Sequence, residues 1–410
     1  MKDRHWKFYL ICSILLIGLL IFFYFTIQYI YLSRKIHDPS ENAFYFFKDL
    51  FNNPNNLDSR LTKIQDVFKY EYFYYPLEEE YKSRYILDFQ VGCKVYNTQA
   101  EFLMIQGKRK DALNLLSSSF YVGNLLKDTN DFIIFLIGIA IRNISVDGFY
   151  IYGMNCCETE DELLELWNVL EKYGEDLGAY KFRGTFLRNH PLFPLNFILH
   201  IKFNRENIIE GSFNEKVGDV KFNLLRMAIA ARYHFLCKGS FPQKESDFKI
   251  LLKQGIPLDP FSNSKAPFRF FHDDRTKEFI VYSIGPDAID SKAGMEYDPT
   301  NGIFFSPGDI FMKVPQERSY PFPKNGLKAN NAQEVKDNFP HGLPRDFFVY
   351  DKGSSLGVSN TSPVYIYSYG PDRDEQEAST RNNNDIPEVM YDPTNGIVSN
   401  GDLWICVPLK

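Results

Sequence analysis

The stretch Tyr282-Ser-Ile-Gly-Pro-Asp287 begins a series of four motifs that occurs twice in this chain. In the first copy it is followed by Tyr297-Asp-Pro-Thr-Asn-Gly302, Ser306-Pro-Gly-Asp-Ile310 and Val314-Pro315. The second copy contains Tyr367-Ser-Tyr-Gly-Pro-Asp372, Tyr391-Asp-Pro-Thr-Asn-Gly396, Ser399-Asn-Gly-Asp-Leu403 and Val407-Pro408. Because the motifs keep their order and nearly keep their spacing, they indicate a structural unit that is repeated with small changes in loop length.

The composition is that of a folded protein with two or three hydrophobic cores. The chain has 410 residues, of which 44% are hydrophobic and 24% are charged. The aromatic content of 16% indicates tightly packed helices and strands, and it leaves room for exposed aromatic patches that contact partners. The net charge is −6 and no basic stripe alternates with aromatic residues, so we expect protein partners and no nucleic-acid partner.

An uncharged and mainly apolar segment of 25 residues runs from Phe8 to Leu32. At about 1.5 Å per residue, a helix of this length crosses the ~30 Å hydrocarbon core of a bilayer. The segment is longer than the apolar part of a cleaved signal peptide, which has about 7 to 15 residues. The sequence therefore predicts a single-pass transmembrane anchor in residues 1–35, with residues 36–410 outside the cytoplasm.

Residues 36–215 show apolar residues at spacings of three and four, which predicts a helical domain. Gly107 lies between two such segments and predicts the turn of a helical hairpin. The apolar run Phe132–Ile141 is too short to span a bilayer, so we interpret it as a buried core helix. Thr159 and Glu162 have the spacing of a capping box, in which each side chain binds the backbone N–H of the other residue.

The carboxy-terminal part changes to strand patterns. Apolar spacing predicts a helix over Leu224–Leu236. The aromatic and β-branched segments Phe268–Phe271 and Phe279–Ile284 flank a polar turn and predict a β-hairpin. In the second copy, the corresponding prediction is a hairpin formed by Phe347–Tyr350 and Val364–Tyr367.

A short series of motifs follows the predicted helix in the first copy. It contains Gly239-Ser-Phe-Pro242, a short helix, Asp259-Pro-Phe261, the hairpin, Ser283-Ile-Gly-Pro-Asp287 and Gly308-Asp-Ile310. This order resembles the globular domain of the major pseudopilins of type II secretion systems. The resemblance covers residues 222–315, and its last part recurs in residues 346–408. It implies a helix packed on a small antiparallel sheet, and a loop near the end of the domain that binds Ca²⁺. It also implies that the anchor lies in a bacterial inner membrane and that the rest of the chain is periplasmic.

The fold class expected from these features is α+β, in four parts. They are a transmembrane anchor in residues 1–35, an all-helical domain in residues 36–215, a pseudopilin-like domain in residues 216–315 and a second, β-rich repeat unit in residues 316–410. The apolar segment lacks the glutamate and the cleavage context of a pseudopilin precursor. We therefore expect the amino terminus to remain uncut.

The resemblance implies one Ca²⁺ ion in each copy, held by oxygen ligands. The expected ligands are the aspartates at matching positions of the two copies, with one additional candidate in each: Asp287, Asp309 and Asp290 in the first, and Asp372, Asp402 and Asp374 in the second. The alternative is that these acids only form Asx turns, in which the carboxylate binds nearby backbone N–H groups. Asp259, Asp298 and Asp392 precede proline and are interpreted as such turn formers.

Catalytic patterns have little support in this sequence. Gly353-Ser-Ser-Leu-Gly357 matches the serine hydrolase pattern G-x-S-x-G, but its position between two predicted strands favours a hairpin loop. The seven histidines form no ligand pair at helical spacing, and the six cysteines show no metal-binding spacing, so we expect no catalytic residues and free or buried thiols. The sequence favours a non-enzymatic, membrane-anchored envelope protein with interaction domains, linked to secretion or surface assembly. The alternatives are an extracytoplasmic hydrolase that uses the repeat carboxylates and a purely structural envelope module.

Overall fold

The structure is a computed structural model, and it describes part of the chain. The described residues are 42–52, 63–70, 73, 83–127, 132–174, 205–298, 306–344, 346–348, 355–360, 362–368 and 403–410. The anchor predicted in residues 1–35 lies outside these ranges, as does most of the second copy's loop. Within them the fold is α+β, with helices in the first part and two small sheets in the second.

Seven α-helices are described: α1 Ala43–Asn52, α2 Ser83–Ile105, α3 Arg109–Lys127, α4 Phe132–Asn155, α5 Glu160–Gly174, α6 Arg205–Lys238 and α7 Ala332–Asn338. Two 3₁₀ helices, Ile64–Lys69 and Glu245–Ile250, join them. The turn between α2 and α3 lies at Gly107, as predicted, and Gly107 has a positive φ of 76°. The predicted capping box at the start of α5 is confirmed, since Glu162 N–H binds Thr159 Oγ1 and Thr159 N–H binds Glu162 Oε2.

Helix α4 is the centre of the bundle and packs against α2, α3 and α6. The described part of the chain contains one helix that is long and apolar enough to cross a membrane, Ile134–Asn155 within α4, and 67% of its most apolar window is buried by the protein. Phe135 and Phe149 are fully buried on it. The prediction that the apolar run Phe132–Ile141 forms a buried core helix is therefore confirmed.

A buried arginine links α4 to α6. Arg142 is 2% exposed and forms an ion pair of 2.9 Å with Asp219 of α6. Its guanidinium lies over the rings of Phe120 and Phe222, at 5.6 and 5.4 Å from their centroids. Since a buried charge is tolerated only when it is paired, this contact orients α6 against the bundle.

Helix α6 belongs to both halves of the described structure. It has 34 residues, which corresponds to a length of about 51 Å. It contacts α4 and α5 on one side and strands of the first sheet on the other. The helix predicted over Leu224–Leu236 thus begins earlier, and the boundary placed between residues 215 and 216 lies within one continuous helix.

The two sheets each have three antiparallel strands in sequential order. The strands are β1 Arg269–Asp273, β2 Glu278–Ser283 and β3 Ile310–Pro315 in the first sheet, and β4 Gly357–Val358, β5 Tyr365–Ser368 and β6 Leu403–Cys406 in the second. The first hairpin has the predicted strands, with Phe270 paired to Val281 and Phe271 paired to Ile280.

The hairpin predicted for the second sheet needs a correction. The strand before β5 that pairs with it is Gly357–Val358, and Phe347 and Phe348, the described part of Phe347–Tyr350, do not pair with it. Phe348 is buried, and its N–H binds the Asp346 carboxylate two residues earlier, so this aromatic segment begins as an Asx turn. An aromatic run fits a buried turn as well as a strand, and the pattern alone does not separate the two.

The connection between the two sheets, after β3, contacts the helical bundle at the turn between α2 and α3. Arg109, at the start of α3, donates a 2.8 Å hydrogen bond to the carbonyl of Phe322, which lies 213 residues further along the chain. Leu327 N–H donates to the carbonyl of Ile105 at 2.8 Å. Glu158 joins this region, because it binds both Arg109 and Arg318 at 2.8 Å.

Candidate functional site

The candidate cation loop is the connection from β2 to β3, residues 284–309, of which 299–305 are not described. Its two ends approach so closely that only glycine fits. A Cβ atom on Gly285, whose φ is 68°, would clash with the carbonyl oxygen of Gly308. Gly308 has a φ of 121°, and a Cβ there would lie 2.8 Å from the backbone of Glu296 and Tyr297. This close approach brings Asp309 back to the start of the loop.

Asp287 binds both ends of the loop. Its Oδ1 accepts the N–H of Ile289 at 3.0 Å, which is the Asx turn expected of an aspartate in this position. Its Oδ2 accepts the N–H of Gly308 at 3.0 Å, across the loop. The carboxylate therefore fixes Asp309, the next residue, beside the first turn.

Asp309 is the most buried acid of the loop, with no exposed surface. Its Oδ2 accepts hydrogen bonds from Ser291 Oγ at 2.8 Å and from Ala293 N–H at 2.7 Å. Its Oδ1 is buried and has no hydrogen-bond donor in the described structure. Burial raises the pKa of Asp309, the hydrogen bonds from Ala293 and Ser291 oppose this, and the nearby charge of Asp290 adds to the increase.

Asp290 lies at the rim of the same loop. Its Oδ1 accepts the N–H of Lys292 at 2.9 Å, and its Oδ2 lies 3.3 Å from Nε of Arg269 on β1. The Tyr282 hydroxyl is also hydrogen bonded to it. Burial and the charge of Asp290 raise the pKa of Tyr282 to about 12, against the opposing charge of Arg269. The structure thus places the three predicted acids of the first copy in one loop.

The three acids of the loop offer oxygen ligands, which suit a hard cation such as Ca²⁺. Asp309 Oδ1 is the one buried carboxylate oxygen among them that lacks a donor. The described residues contain no group of three or more His, Cys, Asp or Glu side chains arranged to hold a metal ion. Any ion here would therefore also need backbone carbonyls and water as ligands. Of the three predicted ligands, Asp309 would hold such an ion through Oδ1, whereas Asp287 and Asp290 form the Asx turns that were the alternative.

The second-copy ligands predicted at Asp372, Asp374 and Asp402 lie outside the described residues, as does Asp392. The same holds for Gly353 and Ser354 of the G-x-S-x-G pattern, whose last residue, Gly357, begins β4. The cysteines that the structure describes are free thiols, as expected, and Cys156 and Cys157 are both buried. Burial raises the pKa of both thiols, which disfavours the reactive thiolate.

Asp259 forms the turn that its position before proline predicted, and it also binds residues at the end of β2. Its Oδ1 accepts Phe261 N–H at 3.0 Å, which is the predicted turn, and also the Ser283 hydroxyl at 2.8 Å. Its Oδ2 accepts Ile284 N–H at 3.0 Å. The buried carboxylate of Asp259 therefore joins the turn at Phe261 to the end of β2 and to Ile284, the first residue of the cation loop.

Asp346 has the matching bonds in the second sheet. Its Oδ1 accepts Phe348 N–H at 2.9 Å and the Ser368 hydroxyl at 2.8 Å. Upstream, Gly255 and Gly342 both have positive φ, at 88° and 91°. The sequence does contain a signal for this match, because Gly255-Ile-Pro-Leu-Asp-Pro-Phe261 and Gly342-Leu-Pro-Arg-Asp-Phe-Phe348 share glycine, proline, aspartate and phenylalanine at the same spacing. The four repeat motifs of the sequence analysis did not include it.

In comparisons with protein families, curated proteins and solved structures, the chain matches none of them.

Proposed function

We propose that this chain is a non-enzymatic, membrane-anchored protein of the bacterial envelope whose two pseudopilin-like units bind other proteins. In this proposal a Ca²⁺ ion stabilises the loop between β2 and β3. The observation that carries it is Asp309, a fully buried carboxylate with one oxygen that lacks a donor. A buried carboxylate oxygen without a donor is costly, and a cation bound to Oδ1 would remove that cost.

The bonding of the loop acids supports a structural role for them. Asp287, Asp290 and Asp309 each accept backbone N–H groups of their own loop. Such bonds hold a carboxylate in place and leave some of its lone pairs for a cation. Asp309 would be the central ligand, and Asp287 and Asp290 would add oxygens at the rim. The ion would neutralise the cluster and set the shape of the exposed loop.

Two features support the duplicated unit and the anchor. The first is the equal bonding of Asp259 and Asp346 to a serine at the end of the middle strand, at 2.8 Å in both sheets. The second is the uncharged segment Phe8–Leu32, whose length suits one crossing of a bilayer. An anchor before the helical part would hold both units near a membrane surface, where a secretion or surface assembly could recruit them.

The cation is tested by thermal unfolding of the full chain in detergent, with CaCl₂ and with a chelator. We expect calcium to raise the midpoint, because a ligand at a hundredfold excess over its dissociation constant stabilises the folded state by about 2.7 kcal/mol. Asp309→Asn should abolish the shift, and Asp274→Asn, at an exposed site, should retain it. Equal midpoints for the wild type with calcium and chelator would remove the cation from the proposal.

The anchor is tested by its topology. Protease added to spheroplasts should digest residues 36–410 and leave the amino-terminal segment in the membrane fraction. Intact-mass measurement of the extracted protein should show an uncut amino terminus. Complete protection of the chain, or its recovery from the soluble fraction, would contradict the membrane-anchored topology.

A further inference from the structure

Arg269 of β1 forms ion pairs with an acid of the cation loop and with the buried Asp259. Its Nε lies 3.3 Å from Asp290 Oδ2, and its Nη1 lies 3.9 Å from Asp259 Oδ2. Among the described residues, it is the only lysine or arginine that forms an ion pair with Asp259, Asp287, Asp290 or Asp309. A single guanidinium therefore faces this group of carboxylates.

The two oxygens of Asp290 have different partners. Oδ1 accepts the N–H of Lys292 at 2.9 Å and closes the Asx turn, whereas Oδ2 is paired with Arg269. The side chains of Arg269 and Asp290 are 30% and 36% exposed, so this pair is in contact with solvent. Oδ2 is thus the oxygen of Asp290 that a cation at the rim of the loop would take, and Arg269 holds it.

The same guanidinium lies near enough to act on an ion held by Asp309. Ser291, the residue after Asp290, donates its hydroxyl to Asp309 Oδ2 at 2.8 Å, so the two acids are neighbours. Tyr282 responds to all three charges. Burial raises the pKa of Tyr282 first, the charges of Asp290 and Asp309 add to the increase, and the charge of Arg269 opposes it.

A guanidinium and a divalent cation compete for the same carboxylates. Each neutralises a carboxylate oxygen, and the two repel each other because both are positive. Arginine stays charged throughout the physiological pH range, so this competition is always present. We propose that Arg269 is a built-in competitor of the cation, which neutralises Asp290 when no cation is bound and lowers the affinity of the loop for Ca²⁺.

This inference rests on the proposed calcium site and adds the residue that limits its affinity. The test is Arg269→Gln in the full chain in detergent, with calcium binding measured by titration calorimetry and folding measured by thermal unfolding. Only the binding that Asp309→Asn abolishes is counted. We expect Arg269→Gln to lower the dissociation constant for calcium at least about tenfold, because one repelling charge is removed. Its midpoint in chelator should fall below that of the wild type.

Two further variants separate competition from other effects. Arg275→Gln removes the same charge from the exposed turn of the same hairpin, and it should change the dissociation constant by less than about twofold, because exposed charges are screened by salt. Arg269→Lys keeps the charge on β1, so its affinity for calcium should stay near that of the wild type. A role that depends only on the shape of the guanidinium would make Arg269→Lys resemble Arg269→Gln.

An unchanged or weaker affinity of folded Arg269→Gln, beside a wild type that binds calcium, would overturn the competitor and leave the cation in place. Calcium binding by Arg269→Gln without detectable binding by the wild type would support the competitor, because the guanidinium would then exclude the ion. No binding by either protein would overturn both proposals. An Arg269→Gln chain that is unfolded both in chelator and in saturating calcium would assign Arg269 to folding alone and overturn the competitor.

Discussion

Asp259 accepts a 2.8 Å hydrogen bond from the hydroxyl of Ser283, and both side chains are buried. The two residues are 24 positions apart, so the bond joins the first turn of the unit to the last residue of β2. The same carboxylate also binds the N–H groups of Phe261 and Ile284. One side chain thus satisfies three buried donors that would otherwise lack a partner.

Asp259→Ala should destabilise the protein strongly. It leaves the Ser283 hydroxyl and two backbone N–H groups buried without an acceptor, and each such group costs about 1 to 3 kcal/mol. We expect a loss of roughly 3 kcal/mol in the free energy of unfolding, measured by urea denaturation. Asp274→Ala, at a carboxylate that is 99% exposed, is the control and should change it little. A small loss for Asp259→Ala would show that these donors find other acceptors.

Asp346→Ala should have a similar effect on the second sheet, since Asp346 binds Ser368 and Phe348 in the same way. The two sites lie in different sheets, so the losses should add in the double variant. Hydrogen exchange measured separately on β2 and β5 peptides shows which sheet each variant loosens. Loosening of both sheets by either single variant would contradict independent contributions.

Gly285→Ala and Gly239→Ala form a matched pair. The two glycines have nearly equal φ, at 68° and 71°, so both variants carry the left-handed backbone penalty of about 1 kcal/mol. Nothing lies within 4 Å of a Cβ at Gly239, whereas a Cβ at Gly285 clashes with the backbone of Gly308. We expect Gly285→Ala to cost roughly 3 kcal/mol or more in urea denaturation. Equal losses would mean that the loop moves aside without cost.

Glu158 should make the free energy of unfolding depend on pH. Burial raises its pKa, but the hydrogen bond from Arg109 and the charge of Arg318 outweigh burial and lower the pKa from 4.5 to about 2. A lowered folded pKa stabilises the protein above pH 4.5, and this contribution is lost as the pH falls towards 2.

Glu158→Gln should therefore lower the free energy of unfolding at neutral pH, by about 1 kcal/mol for a partly exposed ion pair. The difference from the wild type should shrink as the pH falls from 4.5 to 2 in urea titrations. Glu317→Gln, next to Arg318 on the exposed surface, serves as the control. A difference that is constant with pH would assign the loss to packing.

Asp309 should show the opposite dependence when calcium is removed. Its pKa is raised above the usual 3.8, first by burial, so its ionised form disfavours the folded state at neutral pH. This penalty disappears as the pH falls below 3.8, where the group is protonated in both states. In chelator at pH 7, Asp309→Asn should thus be more stable than the wild type in thermal unfolding, and the order should reverse in saturating calcium. A less stable Asp309→Asn in chelator would contradict the penalty.

Local sequence patterns were sufficient where partners lie within a few residues. The capping box of Thr159 and Glu162, the turn at Gly107 and the first hairpin were predicted because their residues contact near neighbours. The interpretation of Asp259 as a turn former was correct for its bond to Phe261. Its bond to Ser283 could not be predicted, because that contact depends on how the turn packs on β2.

The features missed depend on contacts between distant segments. Helix α6 begins before its apolar stripe, and its earlier part contacts the bundle through Asp219, which pairs with Arg142 of α4, 77 residues away. The strand partner of β5 was misplaced because the aromatic residues near Phe348 satisfy a buried turn. In the candidate cation loop, Asp287, Asp290 and Asp309 were predicted from the spacing of the repeat and from the resemblance. The orphaned oxygen of Asp309 becomes visible only when the burial of its loop is known.

The bond from Arg109 to the carbonyl of Phe322 has a consequence for the order in which the protein is made. A ribosome must add 213 further residues after Arg109 before its carbonyl partner exists. The start of α3 and the end of α2 are therefore left unfinished while the first sheet is being synthesised, since Ile105 also awaits Leu327. Domains that fold during synthesis expose such incomplete surfaces to aggregation. A nascent chain halted before residue 322 should accordingly need a chaperone at this end of the bundle.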